Sequence, residues 1–179
     1  MKFSVPCAFG AILGLSSVAI AGPNDVWLNE LHYDNSSSDV NEFIEIAIGD
    51  SITPTDVVVY LYNGSNGTVY KTLSVGPLGA DLIEGQQQGD MTLYWGLVSG
   101  IQNGAPDGVA ITVSGSVEHF VSYEGTLTAT NGPAVGMTST DIGVSESSST
   151  PVGYSLGLTG SGSSYGDFKI GRASWRERV

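Results

Sequence analysis

The chain has 179 residues, of which 18 are acidic and 6 are basic, and its formal net charge is −12. Affinity for nucleic acids comes mostly from Lys and Arg side chains that neutralise phosphates, so this composition argues against a nucleic-acid-binding domain. The single cysteine is Cys7, and the chain that follows it therefore has no disulfide, no thiol nucleophile and no zinc–thiolate site.

Residues 1–21 are predicted to be a signal peptide. Lys2 precedes an apolar stretch that ends in Ala19-Ile20-Ala21, the small-x-small pattern of a signal peptidase site. We therefore expect bacterial export, a secreted or extracellular location, and no membrane attachment after cleavage; an uncleaved membrane anchor is the alternative. The remaining segment of about 150 residues is long enough for one domain of ordinary size.

The rest of the chain shows the alternation of apolar and polar residues that is typical of β-strands, and no window has apolar residues at helical spacing over three turns. The segment Asn63–Gly67 contains two Asn-Gly pairs and predicts a hairpin turn. Short strands separated by turns indicate an all-β fold, an antiparallel sandwich. The predicted strands are Val26–Tyr33, Phe43–Ile48, Val57–Tyr62, Val69–Val75, Met91–Val98, Val109–Val113, His119–Tyr123 and Tyr154–Leu158.

Five segments in a fixed order carry a family resemblance. They read VWLNELHYDNSSSDVNEFIEIA, VVVYLYNGSNGTVYKTL, GIQNGAPDGVAI, EHFVSYEG and MTSTDIGVSES. Together they resemble the bacterial secreted branch of the lamin tail domain family, over Val26 to Phe168. The resemblance implies an immunoglobulin-like antiparallel β-sandwich of the lamin tail type over residues 22–168, with no catalytic residues. Such modules are often fused to secreted nucleases, proteases or other surface proteins.

The C-terminus differs in character from the rest of the chain. Arg172, Arg176 and Arg178 lie within the last eight residues, whereas the preceding domain is strongly acidic. The string IGRASWRERV, residues 170–179, resembles one reading frame of a short-read sequencing adapter, with Trp175 where that frame would give Cys. Residues 169–179 are therefore predicted to be a non-native tail on a truncated gene model, which an intact genomic reading frame would test. A basic anchoring peptide is the alternative.

The acidic loop between the first two predicted strands is a candidate calcium site. Asp34, Asp39 and Glu42 offer carboxylate oxygens of the kind that calcium prefers. The glycine that an EF-hand loop needs at its centre is replaced by Asp39, and the flanking segments are predicted strands rather than helices. A solvated hairpin loop is the alternative.

Glu30 and Glu45 each interrupt an otherwise apolar strand, where a buried carboxylate without a partner is costly. Two carboxylates beside a cleft could act as the acid and base of a glycosidase. We expect them instead to accept hydrogen bonds from backbone N–H groups or hydroxyls at a sheet edge. A zinc site at His32 and His119 is a further alternative that their spacing does not support.

Aromatic residues on the strands suggest one more binding mode. Exposed rings could form a platform that stacks on carbohydrate, although in all-β proteins such rings more often form cross-strand pairs or core. The rings considered are those of Tyr60, Tyr62, Tyr94, Tyr123 and Trp95.

These observations predict a non-catalytic secreted interaction or targeting module, a fragment of a larger extracellular protein. We expect its partner to be a protein or surface ligand, and we expect no cofactor beyond the calcium considered above. One alternative is the N-terminal accessory domain of a truncated secreted hydrolase, a nuclease or protease. Another is a calcium-stabilised adhesion domain.

Overall fold

The computed structural model describes residues 25–162 and 164–174, and about half of this part of the chain forms β-strands. The predicted signal peptide and Cys7 lie outside the described residues. Two short 3-10 helices, Pro54–Asp56 and Tyr165–Asp167, are the helical elements of the described part. The strands are β1 (Val26–His32), β2 (Phe43–Gly49), β3 (Val57–Asn63), β4 (Thr68–Gly76), β5 (Leu82–Gln88), β6 (Met91–Leu97), β7 (Asp107–Val113), β8 (Ser116–Tyr123), β9 (Thr140–Asp141), β10 (Tyr154–Thr159) and β11 (Lys169–Ser174).

The strands form two layers that share one strand. The strands are hydrogen-bonded in the continuous order β11-β10-β1-β2-β6-β5-β4-β3-β7-β8-β9, in which β11 to β5 form the first sheet and β4 to β9 form the second. β4 pairs antiparallel with β3 along most of its length, and its last residues, Val75 and Gly76, pair in parallel with β5. Most pairs are antiparallel, and the two parallel pairs, β4–β5 and β8–β9, are short. The predicted all-β, immunoglobulin-like antiparallel sandwich is confirmed.

The main core lies between the two layers. Alternation places Ile44, Ile46 and Ile48 of β2 in this core, as predicted, together with Val59 and Leu61 of β3. The other face of β2 is also buried, because the connection between β10 and β11 packs over part of it. The side chains of this second, smaller cluster are those of Trp27, Ala47, Leu93, Met91, Leu158, Tyr165 and Phe168.

All the strands predicted from the sequence are present, and three further strands were not predicted. β5 has exposed Gly and Gln residues and no apolar alternation, and β9 has only two residues. β11 falls within the predicted non-native tail, and it pairs with β10 from Thr159↔Lys169 to Tyr154↔Ser174. The assignment of residues 169–179 as non-native stays a prediction, and residues 175–179 lie outside the described part.

Three of the tyrosines considered for a carbohydrate platform are buried, which agrees with the expectation that such rings form cross-strand pairs or core. Tyr62, Tyr94 and Tyr123 are only 0%, 6% and 2% exposed. Tyr62 packs against Phe120 in a cluster that the segment after β8 covers, and Tyr123 stacks on Tyr33 with ring centroids 4.1 Å apart. The curled second sheet thus buries tyrosines on both of its faces, which single-strand alternation does not reveal.

Gly96 of β6 allows the backbone just before β5 to lie close against β6. A Cβ atom at this position would overlap the carbonyl oxygen of Asp81. We therefore expect Gly96→Ala to lower the free energy of unfolding by about 1–3 kcal/mol through overpacking, measured by urea denaturation. Gly166→Ala is the matched control, because a Cβ there would meet no atom within 4 Å. Equal losses in the two variants would contradict this explanation.

Candidate ligand-binding groove

The outer face of the first sheet forms the floor of a groove of about 940 Å³. Residues of β1, β2 and β6 alternate with core residues and so point into it. One wall is formed by β5 and the β5–β6 turn, and the other by the β10–β11 connection, including Gly160–Gly162 and Phe168. Its volume lies within the range of about 300–1,000 Å³ that is usual for ligand pockets.

A row of side chains crosses the groove floor from strand to strand. In the register of the sheet, Trp95 of β6 lies opposite Glu45 of β2, and Glu45 lies opposite Glu30 of β1. Glu30 in turn lies opposite Gly157 of β10, which adds no side chain to the floor. The fold therefore brings one aromatic ring and two carboxylates together on neighbouring strands.

Both carboxylates are buried and hydrogen-bonded. Glu30 is 4% exposed and accepts a hydrogen bond from the Ser155 hydroxyl, and Glu45 is 3% exposed and accepts one from Asn29 Nδ2 at 2.6 Å. The register of β1 shifts between Leu28 and Glu30, which makes Asn29 an irregular position in the strand. The prediction that Glu30 accepts a hydrogen bond from a hydroxyl group is confirmed. The predicted location at a sheet edge is wrong, because β1 and β2 are interior strands.

Burial changes the ionisation of Glu45. Removal of this carboxyl group from water raises its pKa to about 7, and the hydrogen bond from Asn29 opposes that rise. Near neutral pH the group is therefore present in both protonation states, so it can both donate and accept hydrogen bonds.

The remaining lining is aromatic and neutral. Trp95 and Phe168 are half-buried, whereas Trp27 is buried with its ring centroid 6.1 Å from that of Phe168. The indole N–H of Trp27 has no hydrogen-bond partner within the described residues. Asn29, Gln86, Gln88 and Ser161 supply neutral polar groups. Among the lining residues of the described part, the charged side chains are Glu30 and Glu45, so the groove carries negative charge and no positive charge.

The predicted calcium ligands are only partly brought together. Asp34 and Asp39 lie close together, and burial, the negative charge of Asp39 and a hydrogen bond between the two side chains raise the pKa of Asp34. Glu42 points elsewhere and accepts the backbone N–H groups of Gly100 at 2.7 Å and Ile101 at 2.8 Å. Within the described residues no group of three or more His, Asp or Glu side chains is arranged to hold a metal ion. The calcium hypothesis stays a prediction, for which a rise in Tm on adding millimolar calcium would be the test.

Sequence reasoning missed a buried polar cluster around Glu146, which we call the Glu146 clasp. The carboxylate of Glu146 lies 2.9 and 3.0 Å from Nδ1 of His32 and accepts the backbone N–H groups of Tyr33 and Asp34 at 2.7 and 3.1 Å. The Tyr33 hydroxyl accepts a hydrogen bond from the backbone N–H of Glu146 and donates one to the carboxylate of Glu124. Glu146 lies in a serine-rich segment far along the chain from β1, and no local pattern marks it as buried.

The two histidines have separate surroundings. Burial favours a lower pKa for His32, but the hydrogen bond and negative charge of Glu146 outweigh it, and the pKa is raised. Burial lowers the pKa of His119 to about 4, and its Nδ1 accepts the backbone N–H of Leu28 at 3.2 Å. The ring of His119 also meets Tyr165 edge-on, with centroids 4.4 Å apart. Both histidines thus connect β1 to segments distant in sequence.

Comparison with protein-family models, with curated proteins and with solved structures finds no match to this chain. The resemblance to the lamin tail domain family therefore stays a prediction. In the part of the chain that the structure describes, no helix has the length and apolar character needed to cross a membrane.

Proposed function

We propose that this chain is a non-catalytic secreted binding module of the lamin tail type and that the groove on the first sheet is its ligand-binding surface. The row of Trp95, Glu45 and Glu30 across the groove floor is the observation that carries this proposal. Ligand sites combine apolar and aromatic walls with a few fixed polar groups, and this groove has both.

The placement of the carboxylates favours binding over catalysis. A glycosidase needs two carboxyl groups that flank the bond to be broken. Glu30 and Glu45 instead rise side by side from paired strands and are only 4% and 3% exposed, so they lie beneath a bound ligand rather than on opposite sides of one of its bonds. Hydrogen bonds from Ser155 and Asn29 fix both groups in place. They are therefore suited to accept hydrogen bonds from one face of a bound ligand.

The same groove would serve an accessory domain of a larger secreted hydrolase. In that arrangement the module would hold the catalytic domain near its substrate, and avidity would raise the apparent affinity without any new chemistry in this chain. The binding surface and its test are identical in both cases.

Trp95→Ala tests the proposal on a printed array of neutral oligosaccharides, acidic oligosaccharides and short peptides. We expect the wild-type protein to bind at least one class of probe and Trp95→Ala to reduce that signal about tenfold or more, as expected when about 1.4 kcal/mol of binding energy is lost. Tyr154→Ala is the matched control, because Tyr154 is an exposed aromatic residue of β10 that does not line the groove. Equal signals from Trp95→Ala and the wild-type protein would overturn the assignment of the groove, and turnover of any probe would overturn the non-catalytic assignment.

A further inference from the structure

We infer that the ligand of the groove is a neutral oligosaccharide that lies across the strands, with one sugar ring on Trp95 and its hydroxyls donating to Glu45 and Glu30. This inference rests on the proposed function, because it names the ligand class of the same groove. It goes beyond that proposal by committing to the chemistry of the occupant.

The charge of the groove excludes anionic ligands. Its described lining has two carboxylates and no basic side chain, and the whole chain has a net charge of −12. Phosphorylated, sulfated or carboxylated ligands would therefore be repelled at the surface and again on the groove floor. Hydroxyl groups, in contrast, are natural donors to carboxylate oxygens, and such charge-assisted hydrogen bonds are stronger than neutral ones.

The neutral polar groups match a polyhydroxylated ligand. The exposed amides of Gln86 and Gln88 and the half-buried amide of Asn29 each carry both donors and an acceptor. A sugar hydroxyl also donates and accepts, so each amide can bind two positions of one ring.

The half-buried ring of Trp95 supplies the apolar contact. It lies beside Glu45 in the sheet register, and it also pairs with Ile83 of β5. The face of an indole is large and apolar, and it can cover the C–H face of a sugar ring while the edges of that ring reach the neighbouring carboxylates. Trp95 is one strand, about 4.8 Å, from Glu45 and two strands, about 10 Å, from Glu30.

The length of the groove favours a chain over a single sugar. The groove extends from β5 across β6, β2 and β1 to the β10–β11 connection. At about 4.8 Å between neighbouring strands, the distance from β5 to β10 is about 19 Å. This length is several times that of one sugar ring, so we expect affinity to rise with the number of sugar units.

A lysine-containing peptide is the competing occupant, because two carboxylates also attract a cation. Burial raises the pKa of Glu45 to about 7, which weakens its negative charge near neutral pH and its attraction for ammonium groups. Hydrogen bonding to hydroxyls does not require full ionisation of that group. The groove chemistry therefore favours the sugar.

The test is titration calorimetry at pH 7 on an array-selected set of neutral hexasaccharides, with hexagalacturonate and tetralysine as the charged probes. We expect a neutral hexasaccharide to bind more tightly than its disaccharide, and hexagalacturonate and tetralysine not to bind. Trp95→Ala should raise Kd about tenfold, the effect of about 1.4 kcal/mol. Gln86→Ala should raise it severalfold, and Tyr154→Ala should leave it unchanged.

The outcomes separate this inference from the proposed function. If the protein binds only tetralysine and Trp95→Ala abolishes that binding, the sugar assignment is overturned and the assignment of the groove as the binding surface is supported. If Trp95→Ala and Gln86→Ala both still bind the sugar, the sugar inference and the proposed groove function are both overturned. The absence of binding to any neutral sugar or peptide would have the same result. Gln86 is exposed, so its variant remains informative if Trp95→Ala fails to fold, which Tm would reveal.

Discussion

Replacing Glu146 with alanine should lower the free energy of unfolding by about 3–5 kcal/mol, the usual loss when one partner of a buried charged pair is removed. The substitution leaves His32 and the backbone N–H groups of Tyr33 and Asp34 without their carboxylate acceptor. Urea denaturation at pH 6, followed by tryptophan fluorescence, measures the change. Glu84→Ala is the matched control, because Glu84 is exposed on β5, and we expect it to stay within about 0.5 kcal/mol of the wild-type protein.

The pH dependence of this effect has a definite sign. The pKa of His32 is raised in the folded protein, so the stability from its pair with Glu146 is fully present below the unfolded histidine pKa of about 6.5. That stability is lost as the pH rises through the higher folded value. The difference between wild-type protein and Glu146→Ala should therefore shrink at alkaline pH, although the backbone hydrogen bonds keep it above zero. Equal stability of Glu146→Ala and Glu84→Ala at pH 6 would refute the Glu146 clasp.

Glu45→Gln should make the protein more stable than the wild type at pH 8, by about 3 kcal/mol, and leave the two nearly equal at pH 4. The carboxyl of Glu45 has a folded pKa of about 7 against an ordinary value of 4.5. The folded state holds the Glu45 proton more tightly than the unfolded state does. The stability that this protonated carboxyl contributes is therefore fully present below the unfolded pKa and is lost as the pH rises through about 7. Glutamine stays neutral throughout and can still accept the hydrogen bond from Asn29.

Urea denaturation of both proteins between pH 4 and pH 8 is the measurement. Other groups titrate in the same range, among them His119, whose pKa is lowered to about 4, so the difference between the two curves is the quantity to examine. Glu84→Gln is the control for loss of one surface charge. If the free energies of unfolding of Glu45→Gln and the wild-type protein vary with pH in the same way, ionisation of Glu45 does not destabilise the folded state and the prediction is wrong.

The fold was predictable from the sequence because its core strands alternate and its turns carry Asn-Gly pairs. Ile44, Ile46 and Ile48 lie in the main core as their spacing indicates, and Asn63–Gly67 connects β3 to β4. β5 was not predictable, because Gln86 and its neighbours are exposed on both faces and have no reason to alternate. The lamin tail assignment itself stays a prediction.

The candidate site was predictable only in part. Glu30 and Glu45 stand out in the sequence because a carboxylate in an apolar strand needs a partner. The identity of the partner depends on which strands are neighbours, and Ser155 is far from Glu30 along the chain. The position of Trp95 beside Glu45 depends on the register between β2 and β6. Local sequence patterns determine neither, since strand order is set by the packing of the whole sandwich.

Strand β4 is hydrogen-bonded to a strand of each layer, so the stability of one layer depends on the other. Its hydrogen bonds to β3 hold one layer, and those of Val75 and Gly76 to β5 begin the wall of the groove in the other. Loss of β4 would therefore release strands from both layers at once. A substitution far from the groove can in this way destabilise the groove wall. Substitutions that weaken ligand binding therefore need not lie on the binding surface itself.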